Sequence, residues 1–480
     1  MSDAPSIVWF RRDLRIADNP ALRVAIDAEA PVIAFFAYDP DATAAPGGAS
    51  RWWLCHSLAS LKADLESLGI DLVFRQGDEK KMVQTFVEEI GAARIFWNRR
   101  YFAPEVAIDK ELKSTLRDDG VDVETFNGSL LREPWEVKSG SGDPYRVFTP
   151  FWKAMRREGP SRNTATKPRK AKGWKSFKGQ SLTLDDLILL PTEPNWAHEF
   201  PEDWSPGETG ATEKLRLFLK DNVDEYSDGR DRPDMEKTSR LSPHLAFGEI
   251  SPLQIWDAVH SKLEAGKIDA GNAEKFLSEI AWREFSYHLL FYNPKMPEKP
   301  IRENFAGFPW RDDDAALKAW QKGRTGIPFI DAGMHQLWRT GWMHNRVRMV
   351  VASLLTKNIG IHWRDGAAWF WDTLLDADIA NNSASWQWVA GCGADAAPFF
   401  RIFNPVTQGE KFDPNGDYVR QFVPEIADLP DKYIHAPWTA PDDVLAEAGV
   451  KLGKNYPEPI VDLKRSRERA LENYNEIKGN

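Results

Sequence analysis

Between residues 6 and 126 the chain alternates short apolar runs with longer amphipathic runs, and this limits the fold more than any other feature. The runs 6–10, 32–38, 72–75, 94–98 and 122–126 have strand length and composition. The intervening periodicity predicts helices that open at Pro20, span 50–68 with Ser50 as a cap, and cover 78–90 and 104–117. Alternation with short links predicts a five-stranded, parallel, doubly wound, Rossmann-like sheet with a ligand crevice at the carboxyl ends of its strands. No G-x-G-x-x-G follows any strand and no G-x-x-x-x-G-K-[ST] occurs, which argues against a nicotinamide dehydrogenase and excludes a P-loop nucleotidase. Trp9, Phe10, Arg11, Arg12 and Asp13 crowd the end of the first strand, where a tight turn accounts for them as well as a ligand does.

Beyond residue 126 the pattern changes. Proline, glycine and lysine recur from 127 to 206, and strand patterns nearly vanish after 207. Helical periodicity covers 211–219, 252–263, 273–290, 315–322, 333–339 and 345–357. A chain of 480 residues is long for one core. The expected organisation is an α/β domain over 1–130, a linker over 131–206 and a mostly α-helical domain over 207–480.

Composition narrows the chemistry. The chain has two cysteines, Cys55 and Cys392, far apart in sequence. They imply a reducing cytoplasm and exclude a cysteine-based zinc or iron–sulfur site, so no metal is expected. No apolar run approaches membrane-spanning length and no secretory signal is visible. The net charge of -10 hides local basic faces. Residues 153–178 carry ten Lys/Arg and one acid, a run that reads first as a solvated linker. Residues 335–364 carry five Lys/Arg and no acid, beside apolar residues, which reads as a functional basic face for a phosphate backbone.

The second half also holds a concentrated aromatic stretch. Residues 362–388 read HWRDGAAWFWDTLLDADIANNSASWQW, with five tryptophans, Asp372, Asp376, Asp378 and the Asn381–Asn382 pair. GWMHNRVRM precedes it and PFFRIFNPVTQG follows. Apolar rings beside polar groups suit a buried, planar, redox-active ligand, although a tryptophan-rich core explains rings alone. Residues 226–232 (YSDGRDR) read as a polar loop. The hydroxyls of KTSRLS, just before a helix, could seat a pyrophosphate or simply cap that helix. Glu279 and Trp282 sit three apart and share a helix face, as a surface pair or as a clamp for a base.

Taken together, WFRRDLRIADNPAL, TSRLSPHLAFGEISP, EIAWREF, GIPFIDAGMHQLWRTGWMHNRVRM, WFWDTLLDADIANNSASWQW and DAAPFFRIFNPVTQGEKFD resemble the photolyase/cryptochrome family over nearly the whole chain. The resemblance implies an α/β antenna domain joined to a helical FAD-binding domain. It implies FAD contacts from Tyr226, Thr238, Ser239, Arg240, Leu241, Ser242, Phe276, Glu279, Arg283, Arg348, Asp376, Ala377, Asp378 and Asn382. Arg348 and Asp376 look like an ion pair beside the flavin ring, and Asn382 falls where a side chain faces flavin N5. Trp386, Trp363 and Trp310 match an electron-transfer chain running from flavin to solvent.

The resemblance also separates subclasses. Glu279, Trp282, Asn345, Met349 and Trp388 match the lesion pocket of cyclobutane pyrimidine dimer photolyases, in which Glu279 and Asn382 would be catalytic. Arg230, Arg346, Arg401 and Gln408 would contact the flanking backbone. The (6-4) enzymes resemble W-x-H-H-x-x-R-H where this chain has Asn345 and Met349, so acid-assisted (6-4) repair is not expected. The implied function is light-dependent repair of pyrimidine dimers in DNA by electron transfer from reduced FAD, in a class I or class III bacterial enzyme. The alternative is a cryptochrome, a blue-light photoreceptor without repair. Asn382 opposes it, because plant-like cryptochromes usually carry aspartate there. So does the short charged end over 414–480, which holds no long signalling tail. A flavoprotein with no nucleic-acid partner conflicts with the acid-free basic segment. The expected antenna is 5,10-methenyltetrahydrofolate, ahead of 8-hydroxy-5-deazaflavin. A cytoplasmic monomer, nucleoid-associated when on DNA and away from membranes, completes the expectation.

Overall fold

A computed structural model describes residues 4–175, 177–395 and 400–478. The five expected strands form: β1 (Ser6–Trp9), β2 (Val32–Tyr38), β3 (Leu72–Gln76), β4 (Arg94–Asn98) and β5 (Asp122–Phe126). Every pairing is parallel and the order is β3-β2-β1-β4-β5, so the winding reverses between β1 and β4. The crossover helices are α1 (Pro20–Asp27), α2 (Gly48–Ser67), α3 (Glu79–Ile90) and α4 (Ala103–Asp118). Both sheet faces are covered, which is why β1 and β2 are buried throughout and, apart from Ser6, apolar rather than alternating. Asn19 caps α1 by accepting from Leu22 N at 3.2 Å, and Asp78 caps α3 by accepting from Lys81 N at 2.8 Å. The serine cap expected for α2 is corrected. That helix begins at Gly48 behind Gly47, and Ser50 is buried inside it.

The chain divides into two compact units. The first comprises Met1–Asp224, Ser239–Pro294 and Leu375–Ala380; the second comprises Glu225–Thr238, Lys295–Leu374 and Asn381–Asn480. Both are discontinuous in sequence, unlike the three consecutive segments expected. Residues 131–206 are built into the first unit. Val32 N donates to Lys172 O at 2.7 Å, and Trp174 N to Val32 O at 2.9 Å. Trp174 and Phe177 pack on the sheet core. The basic run is stitched down as well. Arg162 meets buried Asp18, Lys167 meets Glu208 at 3.0 Å, and Lys175 meets Asp71 at 2.6 Å. The run is an attached strap, not a free linker.

Helices dominate the second unit, and no helix among the described residues is long and apolar enough to cross a membrane. Two expectations change here. Residues 226–232 are not all loop, because Tyr226–Gly229 is a short helix. The helix expected over 345–357 divides into Asn345–Ser353 and a π-helical turn, Leu354–Ile359. That turn buries Lys357, which therefore leaves the proposed basic face. Its Nζ lies 3.2 Å from the Phe400 ring centre and has no hydrogen-bond partner among the described residues. Burial pushes its pKa well below the usual lysine value.

The aromatic stretch forms two helices, Trp363–Thr373 and Ile379–Ala390. Their closeness depends on Gly366. A Cβ there would lie 2.1 Å from Trp386 Cη2 and 2.6 Å from Leu355 Cδ2. Overpacking costs about 1–3 kcal/mol. Gly366→Ala should therefore lower stability by that order in urea unfolding, despite alanine's better helix propensity.

Candidate functional site

In the first unit, the carboxyl ends of β1 and β4 open into a small crevice. It lies at the point where the winding reverses, as the doubly wound rule expects. Arg12, Arg99, Arg100, Tyr101, Arg283, Tyr287 and Asp378 are among its lining residues. Three of these arginines are paired with carboxylates. Arg99 meets Glu133 at 2.6 Å, Arg100 meets Glu79 at 2.9 Å and Asp109 at 2.6 Å, and Arg283 meets Glu284 at 3.1 Å.

The residues after β1 mostly build the turn. Asp13 accepts from Arg11 N at 2.7 Å and Asn98 Nδ2 at 2.6 Å. Arg15 donates to the carbonyls of Gly248, Asp18 and Gly128 at 2.8, 2.7 and 2.6 Å. Arg12 alone of this group lines the crevice, with Nη1 3.4 Å from Ala377 O.

The Ala270–Tyr292 helix carries Phe276, Glu279, Trp282 and Arg283. Phe276 is buried against Phe218, with ring centres 4.5 Å apart. Glu279 is half-buried and paired with Lys275 at 3.1 Å. Trp282 stacks on Phe148 at 3.7 Å and 8°, so one of its two ring faces is already covered. Arg283 donates to Ser129 O at 2.9 Å and lies over the Tyr287 ring. Tyr287 in turn donates to Asp378 Oδ2 at 2.5 Å. Ser239, Arg240, Leu241 and Ser242 lead into the short Ser242–Ala246 helix. No side chain caps that helix, so the plain capping role considered for these hydroxyls does not apply. Arg240 adopts φ +50, uncommon for a residue with a Cβ, and Ser239 Oγ accepts from Leu241 N at 3.4 Å. Hydroxyls and backbone held in this form suit a phosphate-bearing dinucleotide such as FAD.

Glu284, beside Arg283, ties this helix to the loop after β5. Its Oε2 accepts from Leu131 N at 2.7 Å. Desolvation raises its pKa to about 7, against the lowering effects of Arg283 and the backbone donors. An unfolded glutamate titrates near about 4.3. Between these values the folded chain binds the extra proton, so this group's stabilisation falls as pH rises through that window. Glu284→Gln should remove that slope: urea unfolding should show the variant gaining on the parent from pH 4.5 to 7.

The second unit carries the remaining expected residues. Tyr226 is buried, and Arg230 and Thr238 are partly buried. Arg346 meets Asp231 at 3.0 Å and covers the Phe412 ring. Arg348 Nε donates to Met343 O at 2.7 Å. Asn345 is exposed one turn before Met349, with Nδ2 4.0 Å from its sulfur. Arg401 is exposed, and Gln408 Oε1 is buried with no partner among the described residues. Residues 396–399 of the DAAPFF motif lie outside the described residues. Asn382 Nδ2 donates to Ala367 O at 3.0 Å, which leaves its carbonyl oxygen to be presented.

The three tryptophans differ in setting. Trp386 and Trp363 are buried and Trp310 is partly exposed. His362 bridges the outer pair, with ring centres 5.0 Å from Trp310 and 5.5 Å from Trp363. Trp386 contacts Phe370 at 5.0 Å and Trp320 at 6.2 Å. Trp388 Nε1 donates to Asp395 O at 3.2 Å.

Sequence reasoning passed over His344 and Tyr287. His344 Nδ1 accepts from Arg346 N at 3.2 Å and so starts the helix that presents Asn345, Arg346 and Met349. Burial lowers its pKa to about 3 and keeps it neutral. Tyr287 could have been noticed from its position four residues after Arg283, one turn along the same helix face.

Comparison with known proteins agrees in both halves. The family described as DNA photolyase matches residues 6–170, and the FAD binding domain of DNA photolyase matches residues 276–476. The chain is 51% identical over 479 residues to a deoxyribodipyrimidine photo-lyase of Agrobacterium fabrum, covering 100% of this chain and 99% of that one. It is 40% identical over 478 residues to cryptochrome-1 of Arabidopsis thaliana, covering 97% of this chain and 70% of that one. The solved structure of a bacterial class III photolyase from Agrobacterium tumefaciens matches with TM-score 0.96 at 50% identity, covering 100% and 99% of the two chains.

Proposed function

Because the chain belongs to the photolyase/cryptochrome family, we propose that it is a light-dependent DNA repair lyase that splits cyclobutane pyrimidine dimers. The observation that carries repair over signalling is Asn382, a neutral amide with its donor half engaged by Ala367 O. Its carbonyl oxygen is the atom it offers a ring N–H. An aspartate there would bring a charge instead. When bound, reduced FAD supplies light-driven electron donation, with return of the electron after the ring opens.

The chain's own residues do the rest. Thr238, Ser239, Arg240, Leu241 and Ser242 hold the pyrophosphate region, with Tyr226 nearby and Phe276, Glu279 and Arg283 along one helix. Asp376, Ala377, Asp378 and Arg348 would contact the flavin, whose reduced, anionic form calls for a cation and whose buried carboxylate neighbours need one. Glu279 releases Lys275 and accepts from the dimer. Trp282 offers its uncovered face and Trp388 its ring to bases that have left the stack. Asn345 and Met349 complete the lesion contact. The antenna reading is 5,10-methenyltetrahydrofolate in the α/β domain. Class III and a monomeric state accompany this reading.

Illuminating the purified, reduced protein with a thymine-dimer oligonucleotide should consume the dimer, and no dimer loss would overturn the lyase reading. Arg230, Arg346, Arg401 and Gln408 touch the flanking backbone. If about three to four phosphates are neutralised, affinity falls steeply with salt. Arg401→Ala should weaken binding regardless of sequence and flatten the log–log salt slope by about 1, read by fluorescence anisotropy.

A further inference from the structure

The short segment Leu375–Ala380 packs with the first unit although the helices on either side of it largely belong to the second. It carries Asp376, Ala377 and Asp378. Asp378 and Ile379 line the β1/β4 crevice, so part of one segment forms a wall of that crevice. Two contacts within the first unit hold the segment there. The weaker is Arg12 Nη1 to Ala377 O at 3.4 Å. The stronger is Tyr287 Oη to Asp378 Oδ2 at 2.5 Å, in the range of a charge-assisted hydrogen bond. Tyr287 is itself held under the Arg283 guanidinium, 4.8 Å from its ring centre, and Arg283 is fixed to Ser129 O. Desolvation first, and then the charge of Asp378, push the tyrosine pKa upward, which keeps the phenol protonated and a donor.

We propose that Tyr287 is a positioning residue for flavin binding: its hydroxyl fixes the Asp378 carboxylate and thereby the 375–380 segment. This rests on the reading that Asp376–Asp378 contact FAD. The hydroxyl does not need to touch the cofactor. It sets where the segment lies before the cofactor arrives, so the ordering cost falls on folding rather than on binding. The crevice and the flavin residues then share one mechanical element.

The test compares three variants of the full chain carrying FAD. FAD dissociation is followed by the fluorescence of released flavin on dilution, and bound-flavin absorption is recorded alongside. Tyr287→Phe keeps the ring and loses only the hydroxyl, and should weaken FAD binding by about tenfold and shift the bound absorption bands. Tyr292→Phe removes a hydroxyl on the same helix that bonds Pro134 O at 3.3 Å, outside the crevice, and should leave both readouts at the parent value. Asp378→Ala probes the underlying reading. If Asp378→Ala weakens FAD binding while Tyr287→Phe matches the parent, the positioning role is wrong and the flavin reading stands. If Asp378→Ala also matches the parent, the flavin reading of this segment fails. A Tyr287→Phe chain with a lower unfolding midpoint but unchanged FAD dissociation and spectrum would reduce the hydroxyl to a packing role and overturn the proposal.

Discussion

Trp386→Phe should cut electron supply from the protein to bound, oxidised FAD by more than about tenfold, equivalent to over about 1.4 kcal/mol of barrier. Repair by enzyme reduced beforehand should stay near the parent level. Phenylalanine fills much of the same space but yields an electron far less readily than an indole. Trp386 is buried against Phe370 and Trp320, with Gly366 at its ring edge, so the exchange also opens a small void. A modest loss of stability is expected from that void, separate from the electron-transfer effect. Transient absorption under illumination with an external donor measures the first quantity, and dimer loss under reducing conditions measures the second. Equal loss of both would remove Trp386 from the electron path and leave it as packing. The outer pair, Trp363 and Trp310, joined through His362, predicts a weaker version of the same asymmetry for Trp310→Phe.

The second large effect is expected at Glu279. Glu279→Gln should lower repair per absorbed photon by about tenfold while FAD remains bound, because the charge-assisted hydrogen bond by which the carboxylate holds the dimer's N–H in place is weakened. In the free chain Glu279 is paired with Lys275 one turn away, and both are partly exposed. That pair is a weak surface contact on its own. Losing it costs little stability, so a fall in repair cannot be blamed on unfolding. Lys275→Ala is the companion: it removes the pair but keeps the carboxylate. Its repair yield should stay close to the parent. Quantum yield on a thymine-dimer oligonucleotide distinguishes the two, and normal repair in Glu279→Gln would end its proposed role.

Local signals were legible where one physical rule dominated. A strand buried on both faces must be apolar, so β2 could be bounded residue for residue from sequence; β4 and the edge strand β5, which exposes Asp122 and Glu124, also match their expected bounds. Pro20 and Asp78 marked helix starts by their own backbone chemistry. Ser50 misled because a helix can extend past a good capping residue when Gly47 and Gly48 permit it. Lys357 misled for a different reason. A charge count sees a lysine, and only the π-helical turn shows that it points inward.

The sequence by itself determined the layered α/β sheet, the helical second half, the family and the chemical types at the site, because these depend on periodicity and on ordered motifs. Tertiary structure alone decided which atoms those residues have left to use. It assigned the donor half of Asn382 to Ala367, one ring face of Trp282 to Phe148, and the Asp378 carboxylate to Tyr287. These partners lie fifteen to well over a hundred positions apart along the chain, and no local pattern encodes a contact made by folding at that range. The same holds for the five tryptophans of 362–388: a count predicts an apolar core, and only their packing separates Trp386, closed in by two rings, from Trp388, tied at its edge to Asp395.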